Sequence, residues 1–233
     1  MAIKKKQRLM AFSDTVDTSE AKVEHRFVYN FSKKFLKGKK LLNIGSWTGP
    51  FESLAVKTAA DITAIDIDDR PLKVLKKNLP SVHVKKASAD NLPYKKNNFD
   101  VVTYWAVIEH IPVGYELATL REINRVLKPK GELFLTTMNK HFWSDVLDPG
   151  YWLVGHRHYT EDQLRHMLRD AGFSVEHVLK AGSFVTAFHA WGFYFFKHIL
   201  RMKMPDVDVV EEAFERDFGS PGFYQIAIRA KKL

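Results

Sequence analysis

A glycine-bearing turn and a later acidic residue have the spacing of a site for a ribose-bearing ligand. The turn runs from Gly45 to Gly49 after an apolar stretch, and Asp66 ends the next apolar stretch. Glycines let backbone approach a ligand closely, and an acid about 20 positions after the first glycine reaches a pair of ribose hydroxyls. A lone glycine turn often just ends a strand. The turn together with Asp66 favours a bound nucleotide-like cofactor.

Glu109 and His110 supply candidate acid–base chemistry. They follow the apolar stretch Phe99 to Tyr104, at the end of a predicted strand where an open α/β sheet binds its ligands. Imidazole is the side chain whose unperturbed pKa lies nearest neutrality, so His110 is the first candidate for a general base, with Glu109 beside it. The alternative is that His110 only caps or packs the following loop.

A second polar run, His156-Arg157-His158-Tyr159, precedes a predicted helix. Its side chains could grip an anionic or sugar-like acceptor, and a purely structural part is an equal alternative. His156 and His158 alone supply two metal ligands without an evident third, so we expect no metal site. The sequence has no cysteine, which excludes thiolate zinc sites, iron–sulfur clusters and cysteine nucleophiles.

The stretch from Phe184 to Lys197 is rich in aromatic residues and is followed by further basic residues. Three interpretations compete: a lid over an apolar acceptor with Phe188 and Trp191 in contact with it, an interfacial helix on a membrane, and a buried helix or homodimer face. Aromatic residues that recur at helical spacing are most often buried. The stretch falls short of the roughly 20 clean apolar residues that span a bilayer.

The elements that must position these residues alternate between strands and helices, which predicts a doubly wound α/β domain. The predicted strands are Leu41 to Ile44, Ile62 to Ile67, Val82 to Lys86, Phe99 to Tyr104, Glu132 to Thr137, Phe173 to Leu179 and Phe223 to Ala230. The predicted helices start at Ser19, Phe51, Leu72, Glu116 and Thr160, and Thr160 with Gln163 has the spacing of a capping box.

The length and the net charge of the chain limit what can be expected of its domains and partners. The 233 residues suit one domain, here 19–233, with an aromatic-rich insertion at about 184–217 and a basic, polar arm at 1–18. A net charge of +9 favours anionic partners. The apolar stretch near the N-terminus is shorter than a signal-peptide core, so we expect a cytoplasmic protein. No RNA-binding module accompanies the basic residues, and nucleic acid is not the expected partner.

The type of cofactor follows from what the turn lacks and from three further motifs. A dinucleotide fingerprint needs G-x-G-x-x-G, whereas Trp47 and Pro50 stand at its second and third glycine positions. The further motifs are Ser88-Ala-Asp-Asn-Leu-Pro-Tyr94, Asn98-Phe-Asp-Val-Val102 and Glu122-Ile-Asn-Arg-Val-Leu-Lys-Pro-Lys-Gly131. With them, the chain resembles the class I S-adenosylmethionine-dependent methyltransferases, specifically the small-molecule group called type 11. The resemblance runs from about residue 40 to 139 and continues through 156–164 to 171–173.

The resemblance implies a Rossmann-like, mostly parallel seven-stranded sheet with an antiparallel last strand and helices on both faces. It implies S-adenosylmethionine as cofactor and S-adenosylhomocysteine as product. The turn would wrap the methionine part, Asp66 would hold both ribose hydroxyls, and Asp90 would accept from the adenine amine. The implied cofactor-binding residues are Asn43, Gly45, Ser46, Trp47, Gly49, Asp66, Ile67, Asp90, Asn91, Leu92, Trp105 and Ala106.

Two residues depart from the family pattern. The family usually has an acid where Asn43 stands and a glycine where Trp47 stands. The Asn43 amide oxygen can still accept a hydrogen bond, and Trp47 can stack on or shield the cofactor, so we expect weakened binding. The function expected is methyl transfer to an oxygen of a small-molecule, lipid-linked or glycan-linked acceptor. The alternatives are a methyltransferase-like binding protein without turnover and an NAD-dependent oxidoreductase.

Overall fold

The chain folds around a seven-stranded sheet in a computed structural model that describes residues 20–202, 204–205 and 207–233. The predicted arm at 1–18 lies outside these residues, as does Ser19. The strands are β1 Lys40–Ile44, β2 Asp61–Asp66, β3 His83–Lys86, β4 Phe99–Trp105, β5 Leu127–Met138, β6 Phe173–Ala181 and β7 Gln225–Lys232.

The strand order is β3-β2-β1-β4-β5-β7-β6. Strands β1 to β5 pair in parallel, whereas β7 is antiparallel to both of its neighbours, β5 and β6. The predicted fold class, a doubly wound sheet with an antiparallel last strand, is confirmed. The order reverses between β1 and β4, and the carboxyl ends of these two strands are where such sheets bind ligands.

Helices flank the sheet and connect its strands. They are α1 Val23–Leu36, α2 Pro50–Ala55, α3 Asp69–Asn78, α4 Glu116–Val126, α5 Phe142–Leu147, α6 Pro149–Leu153, α7 Glu161–Asp170, α8 Phe184–Tyr194 and α9 Asp208–Phe218. A 3-10 turn spans Ile108–His110, and α8 continues into a π-helical segment, Phe195–Leu200. The sequence did not predict α5 and α6, which are short.

The core lies on both faces of the sheet because successive strand residues point to opposite sides. In β1, Leu41 packs in the cluster built with α1, α2 and α3, while Leu42 packs in the cluster built with α4 and α7. Both side chains are fully buried. Two buried layers thus fix β1 between β2 and β4, and with it the turn that follows at Gly45.

Helix boundaries follow local capping. Helix α1 begins at Val23, later than predicted, because Lys22 has extended backbone and its N–H donates to His25 Nδ1 at 3.2 Å. The predicted capping box of α7 is confirmed, since Thr160 Oγ1 accepts from the Gln163 N–H at 3.1 Å and Gln163 Oε1 accepts from the Thr160 N–H at 2.9 Å. Among the described residues, no helix has the length and apolar character that crossing a membrane requires.

Candidate functional site

A cavity of about 650 Å³ opens at the carboxyl ends of β1, β2 and β4. Its size is within the range of sites for small molecules and cofactors. Seven of the predicted cofactor-binding residues and the candidate base line it, namely Gly45, Trp47, Asp66, Ile67, Asp90, Trp105, Ala106 and His110. Sequence reasoning missed other lining residues, including Arg70, Val107 and Pro112. We call this space the main cavity.

The glycine turn packs closely against residues that line the main cavity. Gly45 has φ +78°, and a Cβ there would collide with Val107 Cγ2 in the cavity wall. The N–H groups of Gly45 and Ser46 both donate to Ile65 O, at 2.8 and 3.0 Å. Gly49, at φ +88°, ends the turn before Pro50 begins α2. The backbone is therefore fixed where a ligand approaches.

Asp66 holds this turn as well as facing the cavity. Its Oδ2 accepts from the Trp47 N–H at 3.1 Å, and its Oδ1 accepts from the Asp68 N–H at 3.0 Å. Burial raises the pKa of the Asp66 carboxyl. Trp47 has φ +51°, a left-handed conformation that costs a residue with a Cβ about 1–2 kcal/mol. The bond from Asp66 helps to hold that conformation.

The charges around the main cavity are mostly negative. Asp66, Asp68 and Asp90 line it, and Arg70, which also lines it, pairs with the Asp68 carboxylate. Asp90 accepts from the Ser88 hydroxyl. Carboxylates attract cations and repel phosphates, so the lining suits a ligand that carries positive charge and no pyrophosphate.

Beneath the turn, Asn43 belongs to a buried hydrogen-bonded chain. Its Oδ1 accepts from Thr103 Oγ1 at 2.8 Å, and its Nδ2 donates to Glu52 Oε1 at 2.6 Å. The expected acceptor atom of Asn43 is thus engaged by Thr103. Glu52 is fully buried, and burial raises its pKa to about 7 against the hydrogen bond from Asn43. A carboxyl group therefore does lie next to position 43, although the sequence analysis did not identify it.

A second cavity of about 310 Å³ adjoins the main cavity at Trp47. It shares Gly45, Trp47 and Trp105 with the main cavity, and Ser46, Phe193 and Lys197 also line it. Within the part of the chain that the structure describes, three buried polar atoms around the turn have no hydrogen-bond partner: Ser46 Oγ, Trp105 Nε1 and Glu52 Oε2. Buried polar atoms are normally paired, so these three are suited to meet a polar ligand.

His110 belongs to a histidine–aspartate chain that runs inward from the main cavity. Its ring lies edge-on to His156, with 4.8 Å between centroids. His156 Nδ1 is 3.2 Å from Asp148 Oδ2, and His158 Nε2 is 3.0 Å from the same oxygen. His158 Nδ1 is 2.7 Å from Asp145 Oδ1.

Asp148 is the centre of this chain because three other groups also donate to it: two backbone N–H groups and the Tyr224 hydroxyl, which is 3.3 Å from its Oδ1. The N–H groups of Gly150 and Tyr151 donate to it at 2.9 and 3.0 Å, which caps α6. Burial alone would raise the pKa of Asp148, but the hydrogen bonds from His156 and His158 outweigh burial and lower it. Likewise burial opposes charge on His158, yet its bonds to the two aspartates raise its pKa. The pair is therefore ionic.

Glu109 lies behind His110 and outside the cavity lining. It is 3% exposed, its Oε2 accepts from Thr137 Oγ1 at 2.9 Å, and burial raises its pKa. The structure thus places the carboxyl inside the protein, next to the histidine–aspartate chain.

Arg157 and Tyr159 anchor the turn that carries Glu109 and His110. Arg157 Nη2 donates to Ile108 O at 2.9 Å and also to Ile111 O, and its Nη1 pairs with Glu116. Tyr159 is buried, and its hydroxyl donates to Ile108 O at 3.3 Å. Neither residue lines the main cavity. These contacts match a structural role, which the sequence analysis gave as the alternative to binding an acceptor.

The other predicted site residues lie away from the main cavity. Ser46 lines the second cavity, Gly49 ends the turn as the residue before α2, and Leu92 is buried with its N–H donating to Glu122. Asn91 is exposed. Phe188 and Trp191 lie on the outer side of α8, 64% and 40% exposed, and the structure does not bring them to either cavity. No group of side chains suited to a metal ion occurs among the described residues.

Comparison with known proteins agrees with this geometry. A family model described as a methyltransferase domain matches residues 19–178. Among curated proteins, the ubiquinone biosynthesis O-methyltransferase of Nitrosospira multiformis is 30% identical over 160 residues, which cover 62% of this chain and 66% of that protein. The chain thus spans just under two thirds of that relative, and about half of others that it matches.

Solved structures share the fold. The cyclase SpnF is 20% identical with a TM-score of 0.67 and coverage of 99% of this chain and 93% of that one. The 1,6-didemethyltoxoflavin-N1-methyltransferase of Burkholderia thailandensis, solved with S-adenosylhomocysteine, is 14% identical with a TM-score of 0.62 and coverage of 90% and 78%. At such identities the likeness concerns the fold alone.

Proposed function

The chain belongs to the methyltransferase domain family, in the class I S-adenosylmethionine-dependent methyltransferases, and from this premise we propose that it methylates a hydroxyl oxygen of a small molecule with an apolar body. The name of the Nitrosospira relative, an O-methyltransferase of ubiquinone biosynthesis, supports oxygen as the acceptor atom. The narrower type 11 assignment stays a prediction.

The observation that carries the proposal is the acidic, nucleoside-sized main cavity at the reversal of strand order. Asp66 lies at the end of β2 with its carboxylate fixed by two backbone N–H groups, and Asp90 lies across the same cavity. S-Adenosylmethionine combines a nucleoside with a sulfonium and an ammonium, so carboxylates suit it. A dinucleotide would need backbone amides and a helix N-terminus that hold pyrophosphate, and Trp47 stands in the turn where the fingerprint requires glycine.

The residues present fit this cofactor. Asp66 would accept from the ribose hydroxyls and Asp90 from the adenine amine. Ser46 Oγ and Trp105 Nε1, buried and unpartnered among the described residues, would donate to the carboxylate of the methionine part. When bound, the sulfonium supplies a methyl group already activated for displacement. The protein then has to align the acceptor oxygen with that methyl group and exclude water.

His110 would take the proton from the acceptor hydroxyl at an imidazole nitrogen. It lines the same cavity as Trp105, the last residue of β4, and Ala106, the residue after it. Removing the proton raises the nucleophilicity of the oxygen, which is where general base catalysis contributes. His156 packs edge-on against the His110 ring and is itself held by Asp148. His156 and Asp148 are therefore positioning residues that restrict the orientation of the base.

Thermal denaturation with ligands tests the cofactor. A ligand that binds only the folded state stabilises it by about 2.7 kcal/mol at a hundredfold excess over Kd. S-Adenosylhomocysteine should raise the Tm and NAD should not. A shift with NAD and none with S-adenosylhomocysteine would overturn the proposal.

Turnover is tested separately with methyl-labelled S-adenosylmethionine and phenols or catechols that carry apolar tails. Label should appear in the ether product, and His110→Ala should lower turnover while cofactor affinity stays nearly unchanged. A protein that binds the cofactor but transfers no label to any hydroxyl acceptor would instead match the binding-protein alternative, which the departures at Asn43 and Trp47 favour.

A further inference from the structure

An exposed aromatic surface lies beside the site, and we propose that it docks on the surface of an anionic lipid bilayer. We call it the aromatic face. It is formed by α5, α6, α8 and the π-helical segment, and it consists of Phe142, Trp143, Val146, Trp152, Leu153, Phe184, Val185, Phe188, Trp191, Phe195 and Ile199, each at least 39% exposed. The inference goes beyond methyl transfer and does not depend on it.

The aromatic face is continuous. Ring contacts join Phe142 to Trp143 at 5.1 Å and Trp143 to Phe184 at 5.5 Å, which links α5 to the start of α8. Trp152 of α6 donates its indole N–H to Val146 O at 3.1 Å. The indole is thus held by α5 while 62% of the residue stays exposed. Three elements therefore present one apolar surface.

Helix α8 extends this surface as a ridge. Phe184, Phe188, Trp191, Phe195 and Ile199 recur every three or four residues, which is the spacing of one helix face. The opposite face of α8 is buried at Thr186 and Ala187. A helix that is apolar on both sides needs a second apolar environment for its outer side. Contiguous apolar patches of this kind mark sites of interaction with proteins or membranes.

The charges on the elements of the face favour an anionic partner. Helix α8 and the π-helical segment contain no Asp or Glu, and Arg201 follows directly after them. The two acids of α5 and its junction with α6, Asp145 and Asp148, pair with histidines instead. Aromatic groups next to basic groups are typical of surfaces that insert into the headgroup region of anionic membranes.

A second copy of the chain fits these charges less well. A two-fold interface would pack the face against itself and bring equal basic segments together. Anionic headgroups would instead neutralise Arg201. Lys197 lies over the Trp47 ring, 6.0 Å from its centroid, so its stem runs from this segment to the site.

The docking surface and the site share α8. On the inner side, Phe193 of α8 and Lys197 of the π-helical segment line the second cavity. A docked protein would thus have α8 between the lipid and the second cavity.

Vesicle flotation of the full chain tests the proposal. The wild-type protein should float with vesicles of phosphatidylcholine mixed with phosphatidylglycerol, and added salt should weaken the binding. The double variant Phe142→Ser, Phe188→Ser should bind at least about tenfold more weakly, because each serine removes a large apolar group from the lipid contact. Val209→Ser is the matched control, since Val209 is 76% exposed on α9, outside the aromatic face.

The Tm of each variant and its shift with S-adenosylhomocysteine separate docking from folding and from cofactor binding. Both should match the wild type, because the substituted rings are exposed. Equal flotation of the wild type and the double variant overturns the proposal, and so does equal binding to pure phosphatidylcholine. A wild-type dimer that the double variant dissociates, with no vesicle binding, would assign the aromatic face to a second copy and would also overturn it.

Discussion

Replacing Glu52 with glutamine should make the protein more stable at neutral and alkaline pH. The carboxyl is fully buried, one oxygen accepts from Asn43 Nδ2, and the other has no partner among the described residues. Burial raises its pKa from 4.5 to about 7. The folded state therefore holds a proton that the unfolded state releases at lower pH.

The pKa difference gives the size of the effect. A raised pKa contributes stability below the unfolded value, and that stability is lost as pH rises through the folded value. The loss for Glu52 falls between pH 4.5 and about 7. At about 1.4 kcal/mol for each unit, the ionised carboxylate costs about 3 kcal/mol of unfolding free energy above this range. Glutamine keeps the shape and the bond to Asn43 without the charge.

Urea denaturation over this pH range measures the effect. Glu52→Gln and wild type should have nearly equal unfolding free energies at pH 4.5, and the variant should be about 3 kcal/mol more stable at about pH 8. Glu212→Gln, at an exposed position of α9, is the control and should show no such pH dependence. A difference between Glu52→Gln and wild type that stays constant with pH would refute the reasoning.

Three further substitutions test the site. Asp66→Ala should lower affinity for S-adenosylhomocysteine more than tenfold by calorimetry, since hydrogen bonds to a charged group contribute about 1.5–3 kcal/mol each; affinity equal to wild type would show that the cofactor lies elsewhere. Asp148→Asn should reduce the unfolding free energy at neutral pH by about 3 kcal/mol because it leaves His158 without its buried counter-charge; unchanged urea midpoints would contradict the ionic pair. His156→Phe should lower kcat and alter its pH profile through His110 with little change in cofactor Kd; an unchanged profile would remove His156 from positioning the base.

The sheet was predictable because its signals are local and repeated. Apolar stretches separated by amphipathic segments predicted the strands and, with the helices between them, the doubly wound sheet. The helices α5 and α6 were not predicted, since each is too short for an apolar period to show. The Asp148 side chain caps α6, and the sequence alone does not distinguish Asp148 from an ordinary loop residue.

The sequence predicted a site residue only where the residue type and its position at the end of a strand were enough to identify it. Asp66 and His110 line the main cavity as their positions after β2 and β4 suggested. The sequence did not identify Glu52, because its position beside the glycine turn depends on a tertiary contact with Asn43 of β1. The His156 to Tyr159 run illustrates the same limit: its composition suits an acceptor, whereas Arg157 bonds carbonyl oxygens of the His110 turn.

Trp47 lines both cavities, and the bond that holds its backbone comes from Asp66. In the proposed site, the carboxylate that would hold the ribose therefore also fixes the Trp47 backbone, and neither contact can be varied alone. Trp47→Gly would remove the indole from the lining of both spaces. For an engineer who wants bulkier acceptors, the indole is the side chain to remove, and the backbone conformation that it leaves behind is one that glycine adopts without strain.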